Sequence, residues 1–447
     1  MSAIYIYGGT LVNEKRVFSG DLLIVDEQIA AIGNINPSLV PGNAVRINAT
    51  GRLVIPGIID DQVHFRDPGL THKGSIATES RAAVAGGITS FMDMPNTKPP
   101  TINEKALRAK LAIAADSSLI NYAFFLGATN DNIDDLLSCN DSLYCGVKVF
   151  MGSSTGNMLV DSDTALRAIF KNIKAPVACH CEEESIIKGN LEKARLKFGE
   201  KIPPDQHPII RSREACFTSS AKAVALAREY NTRLHILHLS TAEETKLFDN
   251  TLPLAEKRIT GEACIHHLWF DDTYYDTKGN FIKWNPAIKS AFDRKALQAA
   301  VNNDLIDIVA TDHAPHTIDE KSTSYLNAPS GGPLVQHSLV AMLELYHQKV
   351  FSLETIVEKM CHNPAILFNI KDRGFLREGY KADVCIVNPD NPWKVWYDNI
   401  LYRCGWSPFS GITFRSKVEK TIVNGTLVYD DGKILESYRG QPLKFDR

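Results

Sequence analysis

VIPGIIDDQVHF, residues 54–65, opens as an apolar run and ends in polar groups, with Gln62 and His64 followed one step later by Arg66. A run of this kind suits a strand buried on both faces. Period two places Gln62, His64 and Arg66 on one side of it. Seven further segments repeat the pattern: TSFMDMPN (89–96), NYAFFLGAT (121–129), YCGVKVFMG (144–152), APVACHCEE (175–183), RLHILHLS (233–240), RITGEACIHH (258–267) and DLIDIVATDHAPH (304–316). Helix-like stretches such as GSIATESRAAVAGG (74–87) and STAEETKLFDN (240–250) fall between them. Eight strands alternating with helices over roughly 260 residues predict an α/β fold, a (β/α)8 TIM barrel. A doubly wound open sheet is the alternative, but no Gly-rich phosphate fingerprint follows the first strand.

Outside this middle the texture changes. Ile4 to Val54 reads as short strands broken by Gly and Asn, and so does the tail, where Asn424-Gly425 marks a hairpin turn in VEKTIVNGTLVYDDGK (418–433). The expected division is residues 1–54 and 366–447 in one small β-sandwich built from both termini, with the barrel over 55–365.

Bulk properties narrow the function. Lys plus Arg number 49 against 52 Asp plus Glu, so no global field favours nucleic acid or a membrane surface, and an acidic substrate must be met by local groups. Nine cysteines, an odd number in a large chain, suit reduced thiols. The N-terminus lacks a charged-then-apolar signal, and no run approaches a membrane span. The expected address is cytoplasmic and the expected partner a small-molecule substrate; a homodimer is the usual state of such barrels.

The candidate chemistry lies at the strand ends. His64 ends the first strand, Lys148 lies in the fourth, and His180, His238 and Asp312 end the fifth, sixth and eighth. Barrel strands converge at their C-termini, so these groups are expected to share one pocket. Imidazoles, a carboxylate and a lysine gathered there suit a divalent cation, Zn²⁺ above all. Singly, a strand-end histidine is usually a hydrogen-bonded core residue; the set carries the signal. Lys148 within VKVF must be neutralised, paired or modified, because a buried ammonium is costly. His235, three residues before His238, is expected on the other strand face as a packing residue. Arg66 suits a carboxylate by its two-pronged fork, or else pairs with Asp61 or Asp67.

DQVHFRDPG (61–69), MPNTKP (94–99), GVKVFM (146–151), HLS (238–240), HH (266–267), NPAIKS (285–290) and ATDHAPH (310–316), with NPA (363–365) and ADVCIV (382–387), resemble the dihydroorotases of the amidohydrolase superfamily. The resemblance runs almost end to end; HFRDPG and MPNTKP are its most specific segments, and hydantoinases and allantoinases share the others. It implies a zinc site in which Lys148, carbamylated by CO2, bridges two metals. His180 and His238 would bind one metal, His64 and Asp312 the other, with Asp312 also moving the proton. Arg66, Asn96 and His316 would hold the substrate carboxylate, and Asn285 would lie against the ring. The implied reaction is reversible hydrolysis of L-dihydroorotate to N-carbamoyl-L-aspartate in pyrimidine synthesis. The family pattern has His-x-His where this chain has Gln62-Val63-His64, which implies one firm zinc and a second that is weaker or absent. Lys289 and Gln336 also depart from the usual arginine and glutamate. An allantoinase- or hydantoinase-type amidase and a silent assembly partner are the competing readings. His266 and His267 leave open which of them lines the pocket, and the segments 317–332 and 151–158 are candidate closing loops.

Overall fold

The computed structural model describes residues 2–152 and 158–447. Eight parallel strands form the barrel: β1 Ile58–Val63, β2 Ile88–Asp93, β3 Asn121–Phe124, β4 Val147–Phe150, β5 Val177–His180, β6 Leu234–Ile236, β7 Ile259–Cys264 and β8 Ile308–Ala310. Each pairs with its chain neighbour. The link from β3 to β4 runs through the short strand Leu126–Gly127, which pairs with β4. The ring closes where Val63 bridges His313 and the His64 N–H donates to the His313 carbonyl at 2.7 Å. Every strand is buried along nearly its whole length, which is why the sequence shows solid apolar runs rather than alternation.

Local chemistry sets the helices between strands. Ser75, Asn103, Ser162, Ser212 and Ser290 cap the helices Ile76–Ala85, Glu104–Ser117, Asp163–Asn172, Arg213–Tyr230 and Ala291–Asn302, each accepting a backbone N–H with its side chain. Residues 240–250, expected as a helix, form only the 3₁₀ turn Glu244–Leu247. The Glu244 carboxylate folds back to accept from the Ser240 and Thr241 N–H groups and the Thr241 and Ser220 hydroxyls, and a side chain spent that way holds a turn instead of a longer helix.

Both termini meet as expected, hydrogen-bonded into one nine-stranded sheet. Its seam is Leu53–Pro56 antiparallel to Val384–Asn388, joining the N-terminal strands to the C-terminal hairpin Lys417–Val423 and Thr426–Asp430. Ile4, Ile6, Leu22, Ile24, Val54, Val384 and Ile386 give this sheet a core of its own. Inside the barrel Ile59, Met92, Ala123, Ala178, Cys264 and Ile308 pack with Phe368 and Leu443 from the C-terminal region.

Of the two candidate closing loops, residues 153–157 of MGSSTGNM lie outside the described residues. The other, 317–332, is tied down. Buried Lys321 donates to the carbonyls of Lys283, Pro329 and Gly331, and Gly332 bridges His313. Its Pro329, Ser330 and Gly331 line the cavity described below.

Candidate active site

At the C-terminal ends of the strands lies a cavity of about 440 Å³. Gln62, His64, Arg66, Asn96, Lys148, His180, His238, Asn285, Asp312 and His316 all line it. Five strand ends separated by up to 248 positions thus meet in one mouth, as barrel geometry dictates (312 − 64 = 248).

His180 and His238 face each other, Nδ1 to Nε2, at 3.0 Å. On its far side His180 Nε2 meets Glu182 Oε2 at 2.9 Å, and Arg211 holds the same carboxylate oxygen. A carboxylate can only accept there, so the His180 proton sits on Nε2 and the Nδ1 lone pair points at His238. Burial lowers both histidines, His238 far below the usual range, keeping both rings neutral. His238 Nδ1 has no hydrogen-bond partner. Two neutral imidazoles, one oriented by a carboxylate behind it, form the donor set that a zinc ion requires.

Lys148 is 1% exposed, with the Phe150 ring 4.6 Å from its nitrogen. Burial pushes its ammonium down to about 8, so a sizeable neutral fraction exists near neutral pH.

On the opposite wall His64 Nδ1 meets Asn96 Oδ1 at 2.7 Å, while its Nε2 lies 3.2 Å from Asp312 Oδ1. The amide oxygen accepts, so Nδ1 carries the proton and a lone pair faces the carboxylate. Asp312 is pushed up to about 7, burial outweighing Lys148, His180 and Arg66. Gln62 donates from Nε2 to Asp312 Oδ1 at 3.3 Å, and its Oε1 receives the Cys264 thiol at 3.5 Å. Two features behind the wall fix Asn96: buried Lys110 pairs with Asp93 and donates to the Met94 carbonyl at 2.9 Å.

Arg66 donates from Nε to the Pro315 carbonyl at 3.1 Å, and one terminal nitrogen lies 3.0 Å from His316 Nε2. Among the described residues it has no carboxylate partner; Asp61 lies instead near His235, and Asp67 Oδ2 accepts from Ile76 N–H. Lys73 Nζ approaches His316 Nδ1 at 3.0 Å and is itself paired with Glu320 Oε1 at 2.8 Å. Asn285 Oδ1 is buried without a partner.

Neither His266 nor His267 lines the cavity. His266 stacks on Trp284 at 4.5 Å, with Trp284 making the wall, and His267 Nε2 lies 3.1 Å from the Pro286 carbonyl. His235 is not on the outer strand face. The strand ends at Ile236 and His238 takes φ +41°, so the backbone turns and both rings can face the barrel interior. Sequence reading missed Glu182, Arg211, Glu184 and Trp284; the acidic pair directly after His180 in HCEE was the available signal for the first. Lys289 donates to the Ala287 carbonyl, and Gln336 bonds Asn399 and Leu401, both away from the cavity.

Residues 53–428 match the amidohydrolase family. A dihydroorotase of Halobacterium salinarum is 33% identical over 95% of this chain and 96% of its own length. One of Pyrococcus abyssi is 31% identical over 97% of each. An allantoinase of Solibacter usitatus is 31% identical over 99% of this chain and 97% of its own. Among solved structures, the L-hydantoinase of Arthrobacter aurescens superposes with a TM-score of 0.93 at 27% identity, covering 99% of this chain and 100% of that one. Fold, strand-end donors and near-complete coverage agree: the chain belongs to the amidohydrolase family.

Proposed function

We propose that this protein is a zinc-dependent dihydroorotase, interconverting L-dihydroorotate and N-carbamoyl-L-aspartate in pyrimidine synthesis. The observation that carries this reading is Arg66, buried without a carboxylate partner, at the rim of a cavity whose floor holds His180, His238 and Lys148. A substrate carrying a free carboxylate beside a cyclic amide fits that pairing; the guanidinium offers two parallel donors to it.

His180 and His238 would hold one zinc, with Lys148 as a carbamate that supplies the anion between them. His180 Nδ1 and His238 Nε2, facing each other at 3.0 Å, are the two atoms placed to share an ion, which supports this fit. The neutral Lys148 amine, a minority form that the depressed pKa makes more accessible, is the form that adds to CO2. His64 and Asp312 remain as partial ligands for a second, weaker metal, since Gln62 turns an N–H toward that position. When bound, zinc supplies Lewis acidity, lowering the pKa of water toward about 7 and drawing charge from the amide carbonyl.

The chain's own groups do the rest. Arg66, His316 and Asn96 orient the substrate carboxylate, and Asn285 Oδ1 accepts from a ring N–H. Asp312 takes one proton from the attacking water and delivers it to the ring nitrogen as the amide C–N bond breaks; in synthesis the same proton returns. A carboxyl positioned beside the reacting bond can take the proton in one direction and return it in the other. Fixed walls, notably the segment pinned by Lys321, limit water around the reacting bond. Among the described residues no helix is long and apolar enough to cross a membrane, in keeping with a cytoplasmic enzyme acting on a small soluble substrate.

The similarity to an allantoinase and to an L-hydantoinase favours a second reading, a cyclic amidase without a carboxylate clamp. Zinc-loaded protein assayed on L-dihydroorotate, allantoin and hydantoin separates the two. Turnover of dihydroorotate, with kcat/KM falling about 100-fold in Arg66→Ala (roughly 3 kcal/mol for a lost buried charge pair), is the expected result. No dihydroorotate turnover, or a preferred substrate indifferent to Arg66→Ala, overturns it.

A further inference from the structure

Deeper in the barrel, toward the N-terminal ends of the strands, a second group of donors converges. Asp61 on β1, His235 on β6 and Glu262 on β7 are each at 0% exposure, and one ligand atom from each lies within 4.8 Å of the others. Asp61 Oδ1 and Oδ2, His235 Nε2 and Glu262 Oε2 are all buried with no hydrogen-bond partner. Their surroundings are apolar: Ile59, Ala178, Ile308 and Phe368.

Proton placement sharpens the contradiction. The Thr260 hydroxyl lies 2.9 Å from His235 Nδ1 and 3.1 Å from the Leu234 carbonyl. A carbonyl only accepts, so the hydroxyl proton goes to Leu234 and the oxygen accepts from Nδ1–H. Nε2 then faces two carboxylates, and it meets them either with a second proton, which Asp61 and Glu262 would hold by raising the ring to about 9, or with a lone pair turned to a cation. Three acceptors facing one another in an apolar core are unstable unless a cation sits between them.

A proton and a metal ion leave different geometries. His235 Nε2 is 3.4 Å from Asp61 Oδ2 and 3.6 Å from Glu262 Oε2. Charge-assisted N–H···O bonds close to about 2.7–2.9 Å, so an imidazolium should have drawn one carboxylate in. Ligand atoms about 2.1 Å from a tetrahedral zinc stand about 3.4 Å from one another. Charge points the same way: two carboxylates and a neutral imidazole sum to −2, which a divalent cation cancels and one proton does not.

We infer that Asp61, His235 and Glu262 form a second, structural site for a divalent first-row cation, Zn²⁺ by its fit, buried beneath the catalytic cavity and separate from it. Asp61 and Glu262 offer one oxygen each and His235 its Nε2, three protein donors in all. The Thr260 hydroxyl behind Nδ1 orients the imidazole. Glu262 also connects the two sites: its Oε1 accepts from His238 N–H at 3.1 Å and lies 3.2 Å from Cys264 Sγ, which is in turn 3.5 Å from Gln62 Oε1. An ion here would fix the backbone that carries His238.

Because all three donor side chains are fully buried, the ion should enter during folding and resist removal from the folded chain. The test therefore begins with His180→Ala/His238→Ala protein expressed with Zn²⁺, which lacks both imidazoles of the firm catalytic metal, dialysed against a chelator that strips the weak cavity position and counted for metal. About one equivalent per chain is expected, falling at least tenfold when Glu262→Gln is added. Metal-free double variant, or retention unchanged by Glu262→Gln, overturns the inference. Should those variants not fold, a zinc-edge anomalous map of the wild type, grown from zinc-supplemented cells, decides. A peak bonded to His235 Nε2 upholds the site, and its absence leaves a proton as the occupant and overturns it. Neither readout uses activity, so the dihydroorotase assignment stands or falls separately.

Discussion

At position 62 the side-chain amide turns its nitrogen toward Asp312 and its oxygen toward the Cys264 thiol. Asp312 accepts, which turns the amide nitrogen toward it, and the cavity side of Gln62 offers a proton where a ligand would offer a lone pair. Gln62→His reverses that. We expect metal content at the catalytic site to rise from about one to about two equivalents, read by elemental analysis in an Asp61→Asn background that silences the deeper site. A count that stays near one would show that something other than residue 62 limits the second metal. Glu182 makes a different prediction. It never reaches the cavity ion but sets which nitrogen of His180 carries the proton. Glu182→Gln keeps the volume and loses the charge; zinc affinity should weaken roughly 10–100-fold, as for other carboxylates behind ligating histidines. Competition with a chromophoric chelator measures it, and an unchanged affinity would assign Glu182 to the Arg211 ion pair alone.

Elements were legible wherever periodicity and burial coincided. The eight apolar segments became the eight strands because a barrel buries both faces, and their polar tips marked the cavity rim. What escaped reading was set by contacts between elements. Residues 240–250 carry good helix formers, yet Glu244 spends its carboxylate on the preceding turn, a competition that no window of composition displays. His235 looked like the outward member of an alternating strand; the turn at His238, with its positive φ, broke the alternation. Asp61 and Glu262 carried no signal because each acquires meaning only from the other two. The 317–332 segment looked mobile from its polar composition, but Lys321 from the helix Ile318–Lys321 is buried against three carbonyls, with burial driving its ammonium well below the ordinary lysine range. Lys321→Met takes the donor from the Pro329 and Gly331 carbonyls, while the Lys283 carbonyl keeps the Gly331 N–H, and should cost about 3 kcal/mol. It should also raise KM, since Pro329, Ser330 and Gly331 line the cavity. Thermal unfolding and steady-state kinetics read the two effects; a variant with both unchanged would mean the loop is held by other contacts.

For the molecule as a whole, the question is what locks the terminal sheet onto the barrel. His362 sits at that junction, on the π-turn Glu358–His362, 4% exposed and stacked on Phe375 at 4.3 Å. Its Nδ1 donates to the Gly374 carbonyl at 2.6 Å and its Nε2 accepts from Glu14 N–H at 3.0 Å, so one neutral ring joins the first hairpin, the barrel's last helical segment and the C-terminal linker. Asn13 exchanges two further bonds with the Leu376 backbone beside it. A second proton on the ring would face the Glu14 N–H. Burial accordingly holds His362 down at about 4, against an ordinary 6.5, despite the Gly374 carbonyl and Glu14. Between these values the unfolded chain binds a proton that the folded chain refuses. Stability contributed here is therefore complete above about 6.5 and is lost as pH falls toward 4, a drop of about 3 kcal/mol for roughly 2.5 units. His362→Gln retains an acceptor of similar reach but cannot titrate. Urea-unfolding free energies at pH 7 and pH 4.5 should differ by about 2–3 kcal/mol less in the variant than in the wild type. Other buried histidines contribute equally to both proteins, so the difference isolates this ring. Equal pH dependence in the two would mean that the sheet and barrel part before His362 meets a proton, and that the junction is held by the Asn13–Leu376 pair instead.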